Sequence, residues 1–209
     1  MSVLLFDLDG TLVETTRISI PIIQAEIKRY PHLGIPDSKK IKSAFGLPHR
    51  EFWELLIPEA TEQEVRRISQ NWEAELLNLL KNEHVLLPYA KEVLTELKDR
   101  GHILSTASNC TIAYLNGILE SQQLKDLFYE PLCIEKVGGC KKADILLSHF
   151  QHMNKNEAFM IGDRESDIEA AKEHGIPAIA CHFGFASEGE LNEAEHHIYS
   201  LKDLLHLFK

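Results

Sequence analysis

The opening eleven residues restrict the fold more than any other stretch of the chain. Val3-Leu4-Leu5-Phe6 is a short apolar run, and polarity begins abruptly at Asp7. This is the pattern of a strand buried on both faces that stops at the carboxyl edge of a parallel sheet. Side chains at i and i+2 of an extended chain project to one face, so Asp7 and Asp9 address a single small volume outside that edge. Gly10 permits a sharp turn there, and Thr11 adds a hydroxyl. Two neighbouring anions repel, which implies a bound cation, one carboxyl held protonated as an acid, or both. An ordinary Asx turn closing a strand uses the same residues, so the choice between the two readings rests on the rest of the sequence.

From about Thr16 to Glu83 the pattern is helical: Ile18 to Ile27, Arg50 to Leu56, and Glu62 to Leu80, the last with Thr61 as N-cap and Glu64 completing a capping box. Strand signals resume only after Leu86. Helices are then expected over Tyr89–Asp99, Ile112–Gln122, Ala143–Phe150 and Asp167–His174, and strands over Ile103–Ala107, Leu132–Ile134, Ala158–Ile161 and Ala178–Cys181; His196-His197 reads as loop. Such alternation predicts an α/β fold, a Rossmann-like parallel sheet flanked by helices. An all-helical block of about 70 residues is too long for one crossover. It is expected to be an inserted cap domain, 16–83, on a core domain made of 1–15 and 84–209.

Three further clusters fall at predicted strand ends. Ser105-Thr106-Ala107-Ser108-Asn109 offers hydroxyl and amide donors suited to phosphate oxygens, although Ser-Asn before a helix is also an ordinary cap. In Lys141-Lys142-Ala143-Asp144, a lysine ahead of a helix could neutralise a phosphate and a nucleophile together, or simply be solvated. Gly162-Asp163-Arg164-Glu165-Ser166-Asp167 places Asp163 just past a buried strand and Asp167 in the opening of the next helix, where both can serve a hard cation such as Mg²⁺.

The net charge of −10, with no basic stripe, argues against nucleic-acid or anionic-membrane partners. No stretch approaches the roughly 18 apolar residues of a membrane span, and the N-terminus lacks the layout of a secretion signal, so the cytoplasm is the expected location. Cys110, Cys133, Cys140 and Cys181 show neither C-x-x-C spacing nor a paired framework and are expected to be reduced.

With Asp7-x-Asp9-Gly10-Thr11-Leu12-Val13, Ser108-Asn109, a lysine ahead of a helix and Gly162-Asp163-x-x-x-Asp167 in that order, the chain resembles the phosphatase branch of the haloacid dehalogenase superfamily over essentially its whole length. The helical insertion and the C-terminal stretches Phe183–Leu191 and Ile198–Leu205 are similar to those of phosphoglycolate phosphatase-like members. Tyr89 stands where the family's return segment usually has glycine, and no proline follows the lysine, so Lys142 is chosen and Lys141 held in reserve.

The resemblance implies a Mg²⁺-dependent phosphomonoester hydrolase acting on a small phosphorylated metabolite, phosphoglycolate-like or a sugar phosphate, as a monomer or homodimer. Asp7 would be the nucleophile that forms an aspartyl-phosphate, and Asp9 the general acid and base. Mg²⁺ would be held by Asp7, the Asp9 carbonyl, Asp163 and Asp167. Thr11 would orient Asp9, and Ser108, Asn109 and Lys142 would steady the phosphoryl oxygens. His49 and Arg50, in the cationic turn Gly46–Arg50, are the expected specificity residues, while Trp53 and Trp72 are read as cap core. A phosphosugar mutase using the same intermediate and a non-catalytic binding or regulatory protein of this fold are the alternatives; the second usually would have lost one of the acidic residues, and none is missing.

Overall fold

The computed structural model describes residues 1–209. Its core carries β1 (Val3–Phe6), α5 (Ala90–Asp99), β2 (Ile103–Ser108), α6 (Ile112–Ser121), β3 (Leu132–Cys133), α7 (Ile134–Val137), α8 (Lys142–His149), β4 (Ala158–Gly162), α9 (Glu165–His174), β5 (Ala178–Cys181), β6 (His196–Ile198) and α10 (Leu204–Leu207). Helices α1 (Thr16–Ile27), α2 (Ser38–Ala44), α3 (His49–Leu56) and α4 (Glu62–Leu80) are inserted between β1 and α5.

The sheet runs β3-β2-β1-β4-β5-β6, and every pair is parallel. All four residues of β1 are buried, and their period-two alternation feeds two cores. Leu4 and Phe6 pack with Val93 and Leu97 of α5 and Ile118 of α6. Val3 and Leu5 face the other way, against Ile145 and Leu146 of α8 and Ile168 and Ala171 of α9. Truncating one of these leucines to alanine costs about 2–5 kcal/mol through lost burial and the cavity left behind. The strand order reverses beside β1, which opens a crevice outside the carboxyl ends of β1, β2 and β4.

The inserted helices bury a cluster of their own that includes Ile23, Ile27, Phe52, Trp53 and Ile68. Helix α4 opens with the Thr61–Glu64 capping box that its sequence predicts. The chain enters and leaves the cap through two paired segments, with Glu14 N–H donating to Val85 O at 2.8 Å and Leu87 N–H to Leu12 O at 2.9 Å. The cap does not stop cleanly at that neck. Leu76 and Leu80 of α4 join the larger core cluster, and Gly117 of α6 leaves the space that Leu77 fills, since a Cβ there would stand 2.3 Å from Leu77 Cδ2.

Several expectations need correction. His196-His197 is not loop: both residues pair with β5 as part of β6, opposite Ile179 and Ala180. Only Ile198 of that strand is buried, so no apolar run marks it. Ile134 opens α7 rather than extending β3. No apolar periodicity marks helix α2, since SKKIKSA buries only Ile41 and Ala44; Asp37 caps it, accepting from Lys40 N–H at 2.7 Å. Tyr89 precedes α5 at φ +67°, a left-handed conformation that explains why glycine suits the position, and Lys202 Nζ sits 3.8 Å above its ring. No helix is long and apolar enough to cross a membrane.

Candidate active site

The strand ends bring Asp7, Asp163 and Asp167 together, with ligand oxygens all within 4.8 Å of one another and all three side chains buried. Lys142, the first residue of α8, reaches into the cluster: its Nζ lies 2.5 Å from Asp167 Oδ1 and 3.1 Å from Asp7 Oδ2. Burial alone would pull that ammonium down, but Asp167 and Asp7 outweigh it and its pKa is raised, so it is charged. Burial, reinforced by Asp7 and Asp167, pushes Asp163 well above the usual carboxylate range. Burial also lifts Asp167, against the pull of Lys142. Three carboxylates thus face one ammonium, and Asp7 Oδ2 accepts no aligned hydrogen bond despite its burial. An all-oxygen set with that orphaned acceptor fits a hard divalent cation such as Mg²⁺.

Asp163 is fixed by Thr11 Oγ1, which donates at 3.2 Å, and by Phe185 N–H at 2.6 Å. Two glycines leave it room. A Cβ at Gly10 or Gly184 would stand 2.1 or 2.2 Å from Asp163 Oδ2.

Asp9 is half-buried and has a different set of partners. Its Oδ1 accepts from Thr15 Oγ1 at 2.8 Å and from Tyr114 Oη at 2.7 Å, and no protein group bonds its Oδ2. Burial, above all, raises its pKa to about 7. Burial and then the charge of Asp9 hold the Tyr114 phenol well above its ordinary range, so it remains a donor. Thr11 therefore does not orient Asp9, as the sequence suggested. The turn through Gly10, at φ +82°, folds Thr11 toward Asp163, and Thr15 takes the expected role.

Ser108, the last residue of β2, is buried, and it lines with Asn109, Asp7 and Asp9 the floor of a cavity of about 90 Å³. The cap supplies the roof through Phe45, Leu47, Phe52, Trp53 and Trp72. Trp53 and Trp72 are part of the cap's packing and of this wall at once, with Phe52 stacked on Trp72 at 5.8 Å. Three side chains of the core tie roof to floor. Asn109 Nδ2 donates to Gly46 O at 3.1 Å, and Thr111 Oγ1 donates to Glu73. Arg164 Nη1 donates to Ser43 O at 3.2 Å and to Phe45 O, while its Nε pairs with Glu190 at 2.7 Å. Gly46 backs directly onto that arginine: at φ +85°, a Cβ would stand 2.7 Å from Arg164 Cγ.

Of the two adjacent lysines, Lys142 is the one in the cluster; Lys141 pairs at the surface with Glu173 at 2.5 Å. His49 sits at the cavity rim with its ring 6.4 Å from that of Trp53. Arg50 does not reach the cavity. Its side chain is 86 % exposed and pairs with Glu54 one turn on, because successive helical residues diverge by about 100° and His49 takes the inward direction. Sequence reasoning missed Thr15, Tyr114, Glu73 and Arg164. A signal existed for Tyr114: it lies in the first turn of the helix that follows Ser108-Asn109, and that turn must sit at the sheet's carboxyl edge.

The sequence profile of the haloacid dehalogenase-like hydrolases matches residues 4–181. Among curated proteins, the chain is similar to a probable phosphatase, IndB, of Dickeya dadantii, at 28 % identity over 199 residues, covering 91 % of this chain and 85 % of that one. It is also similar to a phosphoglycolate phosphatase of Mannheimia succiniciproducens, at 25 % identity over 194 residues, covering 86 % and 85 %. Among solved structures, a predicted phosphoglycolate phosphatase from Haemophilus somnus superposes with a TM-score of 0.85 at 20 % identity, covering 100 % of this chain and 98 % of that one, a likeness of fold.

Proposed function

Because the chain belongs to the haloacid dehalogenase-like hydrolases, we propose that it is a Mg²⁺-dependent phosphomonoester hydrolase acting on a small phosphorylated metabolite through an aspartyl-phosphate, with residues 16–83 as the unit that selects the substrate. The observation that carries this reading is the asymmetry of the two strand-end carboxylates. Asp7 keeps an oxygen with no aligned hydrogen bond beside Lys142, while Asp9, which lines the same cavity, is anchored through Oδ1 alone and has no protein partner on Oδ2.

In this reading Asp7 attacks phosphorus in line, and the P–O bond to the alcohol breaks as Asp9 Oδ2 gives its proton to the leaving oxygen. Asp9, now ionised, then takes a proton from the water that attacks phosphorus and releases phosphate, leaving Asp7 free and Asp9 protonated again. A carboxyl group with a pKa near 7 serves both steps at neutral pH. Ser108 and Asn109 bind phosphoryl oxygens, and Lys142 offsets their charge while holding Asp7 in position. Such positioning and charge stabilisation are most of the catalytic work in phosphoryl transfer. Asp7, Asp163, Asp167 and the Asp9 carbonyl would hold Mg²⁺, which supplies the charge compensation that lets a carboxylate approach a phosphate dianion.

The test is release of 4-nitrophenolate from 4-nitrophenyl phosphate. Activity is expected with Mg²⁺, lost on chelation and restored by adding Mg²⁺ back. Full turnover in the chelated protein would refute the mechanism.

A further inference from the structure

Building on that reading, we infer that the substrate is the phosphate ester of an uncharged, largely apolar alcohol, and that esters whose alcohol bears a carboxylate are rejected. The inference comes from the charges that face the cavity. Its roof is made of Phe45, Leu47, Phe52, Trp53 and Trp72, and its acidic groups are Asp7, Asp9 and Glu73; no lysine or arginine lines it.

The nearby cations lie outside this lining. Lys142 is buried between Asp7 and Asp167. Arg164 is paired with Glu190 through Nε, and its Nη1 donates to the backbone of the cap loop. Arg50 and Arg66 line the adjoining outer groove, which shares Trp53, Trp72 and Glu73 with this cavity, and Arg50 is paired there with Glu54. His49 offers no standing charge: desolvation lowers its pKa, and the opposing pull of Glu73 does not restore it. Trp53 and Trp72 offer the wall's aromatic surface, and no fixed cation stands beside it for an anion.

An alcohol carboxylate lodged here would lose its hydration, gain no counter-ion and meet Glu73 as a like charge. Burial of an unpaired ion is among the costliest arrangements a site can impose. An apolar leaving group gains from the same wall, since covering its surface and that of the aromatic rings removes both from water. Phosphoglycolate, the substrate for which one relative is named, carries its carboxylate on the ester carbon itself, which would set that anion beside the acidic groups lining the cavity.

The experiment compares kcat/KM, with saturating Mg²⁺, in two matched pairs: 4-methylphenyl against 4-carboxyphenyl phosphate, and propyl phosphate against phosphoglycolate. The uncharged member of each pair is expected to be preferred by about tenfold or more, and Glu73→Gln to narrow both gaps by about threefold. Equal rates, or a preference for the carboxylated member in either pair, would overturn the inference. Benzylphosphonate and 4-carboxybenzylphosphonate, titrated calorimetrically, give a readout that does not need turnover. Tighter binding of the uncharged phosphonate supports the inference, and equal or weaker binding overturns it. Absence of hydrolysis of every ester would instead count against the phosphatase reading alone.

Discussion

Tyr114 donates its hydroxyl to Asp9 Oδ1 at 2.7 Å, joining the first turn of α6 to the residues after β1 across 105 positions of sequence. With Thr15 on the same oxygen, it fixes which face of the carboxyl group meets the cavity. Tyr114→Phe keeps the ring's packing and removes the bond. A fall in kcat of about tenfold with KM changed less than about twofold is expected on an aryl phosphate, the signature of an interaction that matters in the transition state. An unchanged kcat would show that Thr15 alone positions Asp9.

The two strand-end carboxylates should separate under isosteric substitution. Asp7→Asn is expected to abolish turnover while leaving the thermal transition in place, because the amide retains the volume but not the nucleophile. Asp9→Asn retains the nucleophile and loses the base. With 4-nitrophenyl phosphate, whose leaving group needs no proton, it should accumulate a phosphorylated protein, visible by intact-mass spectrometry as one added phosphoryl group on Asp7.

Gly46 and Arg164 form a steric pair as well as a latch. Gly46→Ala puts a Cβ into a left-handed residue and against Arg164 Cγ, and is expected to cost about 1–3 kcal/mol in a urea titration. Arg164→Ala costs stability through the lost contacts to Ser43 and Phe45. Combined, the two should cost less than their sum, since truncating Arg164 removes the atom that the new Cβ meets. Strict additivity would mean that the backbone conformation alone sets the price at position 46.

His149 gives the fold a pH dependence separate from the reaction. It is buried on α8, with Nε2 2.8 Å from Thr106 O. Burial lowers its pKa below the ordinary value of 6.5, more than the hydrogen bond raises it. Between the folded and unfolded values the unfolded chain binds more protons, so stability rises with pH across that window and is lost as pH falls below about 6.5. His149→Gln should flatten the slope of unfolding free energy against pH just below 6.5, whatever it does to the absolute stability.

The acidic cluster was legible because two of its three members follow strands written in apolar residues, Val3–Phe6 before Asp7 and Ala158–Ile161 before Asp163, and the third, Asp167, lies in the first turn of the next helix. A strand end is a local property. What the sequence concealed are relations between distant segments. Thr11 and Thr15 are equally good hydroxyls near Asp9, and only the turn at Gly10 decides between them. Arg164 sits between two recognisable aspartates, yet its partners, Ser43 and Phe45, belong to another layer of the molecule. Arg50 was drawn toward the site by its charge, but the helical phase of α3 turns it to Glu54. β6 escaped notice because its pairing is carried by backbone groups under two exposed histidines.

Trp53 and Trp72 are the only tryptophans in the chain, and both stand in the cap on the wall of the catalytic cavity. All indole fluorescence of the protein therefore originates within the substrate's reach, and none comes from the sheet. A ligand entering the cavity changes the polarity around both fluorophores at once. The unlabelled wild-type protein thus carries its own optical probe, suited to stopped-flow measurement of how fast the roof meets its substrate and lets the product go.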